Sequence, residues 1–275
     1  MRVILADKAG ACYGVNRSLE MVTKAASESN NVATLGALIH NPVVVEELET
    51  KYGVRTLDNV ASDVDTIVIR SHGVTLDVQR EAEKKCKHIV DATCPHVKAV
   101  QKAAADLAKK YGQVIVVGKE GHPEVESVRS YVLDAGAKCY VWQRVEDIVP
   151  LTGTVGVVSQ TTQSQEAFQN IIENLSDFNL DIKNTICAAT QQRQDAALKL
   201  SYDVDAFVVI GGHNSSNTTH LAEIVSANCC NTYHIETHDD LVGVDFSCCK
   251  TIGVTAGAST PKSQIEPIVR FLESL

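Results

Sequence analysis

Short apolar segments alternate with longer amphipathic ones along almost the whole chain. Seven segments rich in valine and isoleucine are typical of strands buried on both faces: VILA, TIVIR, HIVDA, VIVVG, VGVVS, AFVVI and TIGVT. Between such segments, the stretch 96–111 places apolar side chains on one face at helical spacing. The pattern predicts a layered α/β protein with mostly parallel sheets.

One interval between a cysteine and a polar loop residue occurs three times. The same spacing separates Cys12 from His40, Cys94 from His122, and Cys187 from Ser215. Each cysteine follows a short apolar segment and precedes a run with helical character, so one structural unit is expected to occur three times. The predicted boundaries are 12–93, 94–186 and 187–275, with the N-terminal strand in 1–11 completing the third unit.

Three cysteines presented alike suggest one shared centre, because three thiolates fill all but one corner of a tetrahedral metal or cluster site. A site with one unfilled ligand position is usually catalytic. The remaining cysteines are expected to be small core residues. A second metal site at the adjacent pairs is disfavoured, because neighbouring cysteines rarely chelate one ion well. The cysteines in question are Cys86, Cys139, Cys229, Cys230, Cys248 and Cys249.

Polar loops follow several predicted strands: LGALIHNP, IRSHGVT, VGKEGHPE, IGGHNSSNT and TAGASTP. Pro42, Pro123 and Pro261 are expected to open the helices after three of them. Backbone N–H groups at helix N-termini, at the carboxyl ends of parallel strands, form a natural anion site. The loops add donor-rich side chains: His40, Asn41, His72, His122, Ser215, Ser216, Asn217 and Ser259.

A phosphate or diphosphate would suit this set of donors. The chain has neither a Walker nor a dinucleotide-binding glycine fingerprint, so the phosphate is expected to belong to a substrate. Taken singly, the histidines could be turn or capping residues, and the serines could be ordinary helix starts.

Glu124 is a carboxylate that adjoins these donor-rich loops at the start of a predicted helix. It could be favoured merely by the dipole of the first helical turn, or it could be a proton source for catalysis. Thr161, at another strand end, could orient a substrate hydroxyl or cap a helix.

Composition narrows the class of partner. The formal net charge of −9 and a pI near 5.5 argue against broad contact with nucleic acid or an anionic membrane. No stretch approaches the roughly 20 apolar residues needed to cross a bilayer. The N-terminus lacks a signal-peptide core, so a cytoplasmic location with reduced cysteines is expected.

Eight segments together resemble the 4-hydroxy-3-methylbut-2-enyl diphosphate reductase family of the non-mevalonate isoprenoid pathway. They are ACYGVNRS, GALIHNP, RSHGV, DATCP, GHPEVE, SQTT, NSSN and TAGAS, and they extend from Cys12 to Ser259. The sequence departs locally at Ser127, where the family often has glycine, and in CAATQQR around the third cysteine.

The resemblance implies a trefoil of three α/β units around one [4Fe-4S] cluster. Cys12, Cys94 and Cys187 would hold the cluster and leave one iron without a protein ligand. Glu124 and Thr161 would face the allylic hydroxyl of the substrate, with Glu124 heading the proton relay. The diphosphate would be surrounded by His40, His72, His122, Ser215, Ser216, Asn217 and Ser259.

The implied reaction is reductive dehydroxylation of 4-hydroxy-3-methylbut-2-enyl diphosphate to isopentenyl and dimethylallyl diphosphate. The allylic oxygen would bind the open iron, and a ferredoxin or flavodoxin would donate electrons. Two other functions suit three cysteines with an open iron: a redox-neutral hydro-lyase, and a non-catalytic iron or redox sensor. A radical enzyme that uses S-adenosylmethionine is disfavoured, because the close CxxxCxxC motif is absent.

Overall fold

The computed structural model describes residues 1–175 and 178–275. The strands in these ranges are β1 Arg2–Leu5, β2 Val32–Leu35, β3 Arg55–Leu57, β4 Thr66–Ile69, β5 His88–Asp91, β6 Gln113–Val117, β7 Lys138–Trp142, β8 Thr154–Ser159, β9 Asn179–Ile182, β10 Ala206–Ile210, β11 Thr232–Ile235 and β12 Thr251–Ala256. The α-helices are α1 Tyr13–Glu28, α2 Pro42–Tyr52, α3 Leu76–Lys85, α4 Pro95–Tyr111, α5 Pro123–Asp134, α6 Gln165–Glu173, α7 Ala188–Ser201, α8 Ser216–Ser226 and α9 Lys262–Ser274.

The strands form three four-stranded sheets. Their orders are β1-β12-β10-β11, β3-β2-β4-β5 and β7-β6-β8-β9, and every pairing is parallel. An α-helix connects most successive strands, as is usual for parallel pairing, whereas β3 and β4 are joined without a helix and a short 3-10 helix lies between β7 and β8 and between β11 and β12. The predicted α/β class with parallel sheets is confirmed.

Two compact units emerge from the packing of the backbone. Unit 1 comprises residues 1–15, 40–44 and 188–275, and it contains the sheet of β1, β10, β11 and β12. Unit 2 comprises residues 16–39 and 45–187, and it contains the other two sheets. The boundaries 12–93, 94–186 and 187–275 with 1–11 therefore stay a prediction.

The three sheets share one arrangement of strands and of the loops that follow them. An edge strand precedes a cysteine, and the strand beside it ends in a polar loop: β1 beside β12, β5 beside β4, and β9 beside β8. The next strand inward ends in the loop that carries His40, His122 or Ser215. The repeated interval therefore links a cysteine after one sheet to a loop of the following sheet.

The apolar side chains of the central strands alternate between two cores. In unit 1, Val208 and Ile210 pack with α9, whereas Phe207 and Val209 pack with α8. This alternation explains why the central strands are apolar at successive positions, because both faces are covered by helices.

Two details of the sequence interpretation were wrong. Pro261 is the N-cap of α9 rather than its first residue, whereas α2 and α5 do begin at Pro42 and Pro123. Cys230 and Cys248 are exposed, so they are not core residues.

The other four cysteines with an expected packing role do contact the hydrophobic cores. These are Cys86, Cys139, Cys229 and Cys249. Within the described ranges, no helix is both long enough and apolar enough to cross a membrane.

Gly156 lets α4 lie directly on β8. A Cβ atom at this position would come within 2.6 Å of Leu107 Cβ. A change of the Leu107 rotamer could not relieve this clash, because the position of Cβ is fixed by the backbone. We expect Gly156→Ala to lower the free energy of unfolding by roughly 1–3 kcal/mol, because α4 must shift. Thermal denaturation measures the effect. Thr154→Ala, on the half-buried first residue of β8, is the control, and equal destabilisation by both variants would contradict the steric explanation.

Candidate active site

Each of the three cysteines immediately precedes a helix. Cys12 comes before α1, Cys94 is the N-cap of α4, and Cys187 comes before α7. All three are half-buried, and no disulfide joins any of the nine cysteines, all of which lie in the described ranges. The positive end of a helix dipole favours a negative charge, so these positions suit thiolate ligands.

The backbone amide of each of the three cysteines also donates an equivalent hydrogen bond to a carbonyl of a neighbouring loop. The amide of Cys12 donates to Ala258 O at 3.1 Å, that of Cys94 to Ser71 O at 2.9 Å, and that of Cys187 to Thr161 O at 2.9 Å. Each acceptor lies in the polar loop after the neighbouring strand. Two predicted site residues, Ser259 and His72, directly follow an acceptor, and Thr161 is itself one. Cysteine and loop are therefore fixed together in each sheet.

Asn217 has the most informative side chain of unit 1. Its amide is only 3 % exposed, yet neither Nδ2 nor Oδ1 has a hydrogen-bond partner among the described residues. A buried amide without partners is costly, so this side chain is a candidate to bind a ligand, an ion or a water molecule. Asn217 lies in the first turn of α8, where Ser215 Oγ caps the helix by accepting from Thr218 N at 3.4 Å, and Ser216 is the first helical residue.

The other polar loops of unit 1 are joined by hydrogen bonds that the side chains of Ser259 and Asn41 donate. Ser259 Oγ donates to His40 O at 3.0 Å, and Asn41 Nδ2 donates to Ser259 O at 2.9 Å. Asn41 Nδ2 also donates to Gln264 Oε1 at 2.8 Å on α9. His40, Asn41 and Ser259 therefore form one connected group, and contact between such distant parts of the chain has no local signal in the sequence.

Thr218 is a residue of this region whose importance the sequence does not reveal. A Cβ atom at Gly257 would lie 2.1 Å from Thr218 Oγ1, and one at Gly211 would lie 2.8 Å from it. The two glycines let the loops after β10 and β12 approach the start of α8 closely. Only the preference for glycine in both loops hints at this packing.

Glu124 is the buried acid of unit 2. Its carboxyl group is 1 % exposed and accepts two hydrogen bonds from Thr161: one from the backbone N at 2.6 Å to Oε1, and one from Oγ1 at 2.7 Å to Oε2. Burial raises the pKa of Glu124 to about 7, although the two hydrogen bonds from Thr161 act in the opposite direction. The acid can therefore hold or release a proton near neutral pH.

Both of the simpler roles considered for these residues are now decided by geometry. Thr161 is not a helix N-cap, because Ser164 caps α6. Glu124 does lie in the first turn of α5, but its burial and its bonds to Thr161 go beyond a favourable dipole interaction. The two residues are 37 positions apart in sequence.

His72 and His122 are neighbours in unit 2. Their ring centroids are 5.6 Å apart, and the rings meet edge to face at 85°. His122 is also the N-cap of α5, since its Nδ1 accepts from Glu124 N at 3.1 Å. The capping role considered for His122 is therefore confirmed.

Known sequences provide an independent comparison. The family model described as LytB protein matches residues 3–273 of the chain. A relative from Geotalea daltonii, named 4-hydroxy-3-methylbut-2-enyl diphosphate reductase, is 43 % identical, and the alignment covers 100 % of this chain and 98 % of that protein.

Two solved structures are also similar. One is described as (E)-4-hydroxy-3-methyl-but-2-enyl diphosphate reductase, the terminal enzyme of the non-mevalonate pathway; it is 36 % identical, covers 100 % of both chains and has a TM-score of 0.72. The other, the E-1-hydroxy-2-methyl-but-2-enyl-4-diphosphate reductase from Plasmodium falciparum, is 26 % identical with a TM-score of 0.90. It covers 98 % of this chain and 87 % of that one.

Replacement of Thr161 by valine tests the electrostatics of the buried acid. We expect Thr161→Val to raise the pKa of Glu124 above about 7, because one of the two donors that stabilise the carboxylate is lost. A pH titration of the glutamate side-chain carbons by ¹³C NMR measures this, with Glu124→Gln identifying the resonance. Thr154→Val, at the start of β8, the strand that ends just before the loop of Thr161, should leave the titration unchanged. A lower pKa in Thr161→Val would contradict the account.

Proposed function

Because the chain belongs to the LytB family of 4-hydroxy-3-methylbut-2-enyl diphosphate reductases, we propose that it reductively removes the hydroxyl group of 4-hydroxy-3-methylbut-2-enyl diphosphate. Two electrons and two protons convert the substrate to isopentenyl or dimethylallyl diphosphate and water. The observation that carries the proposal is the buried Glu124–Thr161 pair, since the reaction needs a proton donor that is still protonated near pH 7.

We assign Cys12, Cys94 and Cys187 as the ligands of one [4Fe-4S] cluster. Their thiols fit such a group, because each lies at a helix N-terminus and each is fixed by the same amide–carbonyl hydrogen bond. When bound, a cluster with one iron lacking a protein ligand supplies Lewis acidity and one-electron transfer. Cys139 is excluded from this role, because burial raises the pKa of its thiol to about 12.

We assign the donor-rich loops to the diphosphate. Asn217 supports this assignment most directly, because a buried amide with neither group satisfied by protein is suited to polar ligand atoms. The helix N-terminus at Ser215 and Ser216 adds backbone N–H groups to the hydroxyls. The residues assigned to the diphosphate are His40, His72, His122, Ser215, Ser216, Asn217 and Ser259.

Glu124 and Thr161 are assigned to the allylic hydroxyl. Below about pH 7 the Glu124 carboxyl holds a proton, which it can deliver to the leaving oxygen so that water departs. Thr161 Oγ1 and the Thr161 amide orient the carboxyl group and stabilise the carboxylate formed by proton transfer. Fixing the diphosphate end of the substrate orients the hydroxyl for this transfer.

A small ferredoxin or flavodoxin is the proposed electron donor. A requirement for an external reductant also distinguishes this function from that of a redox-neutral hydro-lyase, which would need no reductant. Turnover of the allylic diphosphate separates it from a cluster-based sensor.

The role of Glu124 is tested by Glu124→Gln. We expect turnover to fall by about 10²–10⁴-fold, because the amide cannot donate the proton, whereas cluster content and substrate binding should remain. Turnover of the parent enzyme should decline as the pH rises through about 7, where Glu124 loses its proton. Glu126→Gln, on the same helix, is the matched control. Near-normal turnover in Glu124→Gln would remove Glu124 from the proton path.

The cluster assignment is tested by single serine replacements of Cys12, Cys94 and Cys187. Each variant should contain less of the cluster, or none, when purified without oxygen, because one ligand is missing. Iron and sulfide content and visible absorption measure the effect. Cys139→Ser should keep the full content, since that thiol packs in the core. A parent protein without iron or visible absorption would refute the assignment.

A further inference from the structure

A buried hydroxyl links three of the elements that carry proposed site residues in unit 2. Ser127 Oγ donates to Val74 O at 2.9 Å and accepts from Gln101 Nε2 at 2.7 Å. All three residues are buried, and Ser127 is fully so. The hydroxyl thus uses both its donor and an acceptor position within the protein.

The three partners belong to different functional elements. Gln101 is on α4, which begins after Cys94, and Ser127 is on α5, which begins after His122. Val74 closes the loop that carries His72. We call this hydrogen-bonded group of Gln101, Ser127 and Val74 the serine junction.

The loop of His72 has little room to move against the serine junction. Gly73 has φ of 76°, and a Cβ atom there would lie 2.8 Å from both Gln101 Nε2 and Ser127 Oγ. The loop is also held at its end, where Leu76 N donates to Ser130 Oγ at 3.1 Å. Ser130 Oγ in turn donates to Ser127 O at 2.6 Å, so both ties end on α5.

The consequence concerns the two neighbouring imidazoles. His72 and His122 meet at a centroid distance of 5.6 Å, but His72 belongs to the loop after β4 and His122 to the start of α5. Their separation therefore depends on how the loop is attached to α5. The serine junction attaches these two elements by a hydrogen bond that is shielded from water, where such bonds are strongest.

We propose that Ser127 is a positioning residue for diphosphate binding: its hydroxyl holds the loop of His72 against α5 and thereby fixes the spacing of His72 and His122. This inference rests on the proposed function, which assigns both histidines to the diphosphate. The Glu124–Thr161 pair is made by other atoms, so loss of the hydroxyl should weaken substrate binding more than the chemical step.

Ser127→Ala tests the inference in the cluster-loaded enzyme. We expect KM for the allylic diphosphate and the calorimetric Kd for inorganic diphosphate both to rise about tenfold, while kcat stays within about twofold, because binding common to substrate and transition state is lost. A merely structural role would not separate KM from kcat in this way.

Two further variants guard against misreading a loss of stability. Val132→Ala truncates a buried side chain on the same helix away from the serine junction, and it should lower Tm without changing KM or Kd. The double variant Gln101→Leu with Ser127→Ala removes the orphaned amide together with the hydroxyl, so it should fold better than Ser127→Ala and still bind diphosphate weakly.

The outcomes separate the inference from the function on which it rests. If the parent enzyme does not convert the allylic diphosphate, the proposed function fails. If the parent is active and Ser127→Ala and the double variant keep the KM and Kd of Val132→Ala, the positioning role of Ser127 is refuted. A fall confined to kcat would refute it as well.

Discussion

Parallel pairing between the edge strand that precedes each site cysteine and the neighbouring strand is the constraint on which the candidate site depends. Parallel strands end at the same edge of a sheet, so the segments that follow β1 and β12, or β5 and β4, must emerge together. The amide of each cysteine then reaches a carbonyl in the adjacent loop. A helix starts directly after each cysteine, so the same arrangement gives each thiol a favourable electrostatic environment and fixed loop neighbours.

Burial has different consequences for the polar groups around these sheets. For Glu124, desolvation outweighs two short hydrogen bonds and raises the pKa into the neutral range, which suits an acid that must donate a proton. For Cys139, burial outweighs the charge of Arg129, which acts to lower the pKa of the thiol, so the thiol stays neutral and suited to packing. For Asn217, burial leaves the amide without protein partners among the described residues, which suits a residue reserved for a ligand.

Close packing supplies the precision that these groups need. Glycines make room for the side chains of Leu107 and Thr218 where a Cβ atom would collide, so β8 packs closely on α4, and the loops after β10 and β12 pack closely on α8. In unit 2, the hydroxyl of Ser127 adds buried hydrogen bonds next to Gly73, where a Cβ atom would also collide. Small residues and buried hydroxyls thus determine how closely the residues assigned to ligand binding approach one another.

The sequence by itself determined most of the central strands, most of the helices and the types of residue in the candidate site, because buried parallel strands are continuously apolar and polar loops follow them at regular intervals. The seven apolar segments did not include the central strand β2, which contains Thr34, or the edge strands β3, β7, β9 and β11, whose partly exposed residues lack that apolar signal. The repeated spacing identified equivalent cysteines but joined each to a loop of the following sheet. Tertiary structure alone decided that Cys94 is tied to Ser71 and Glu124 to Thr161, because strand order brings together residues far apart in the chain. The protonation of Glu124 was also decided there, since it depends on burial, which no local pattern specifies.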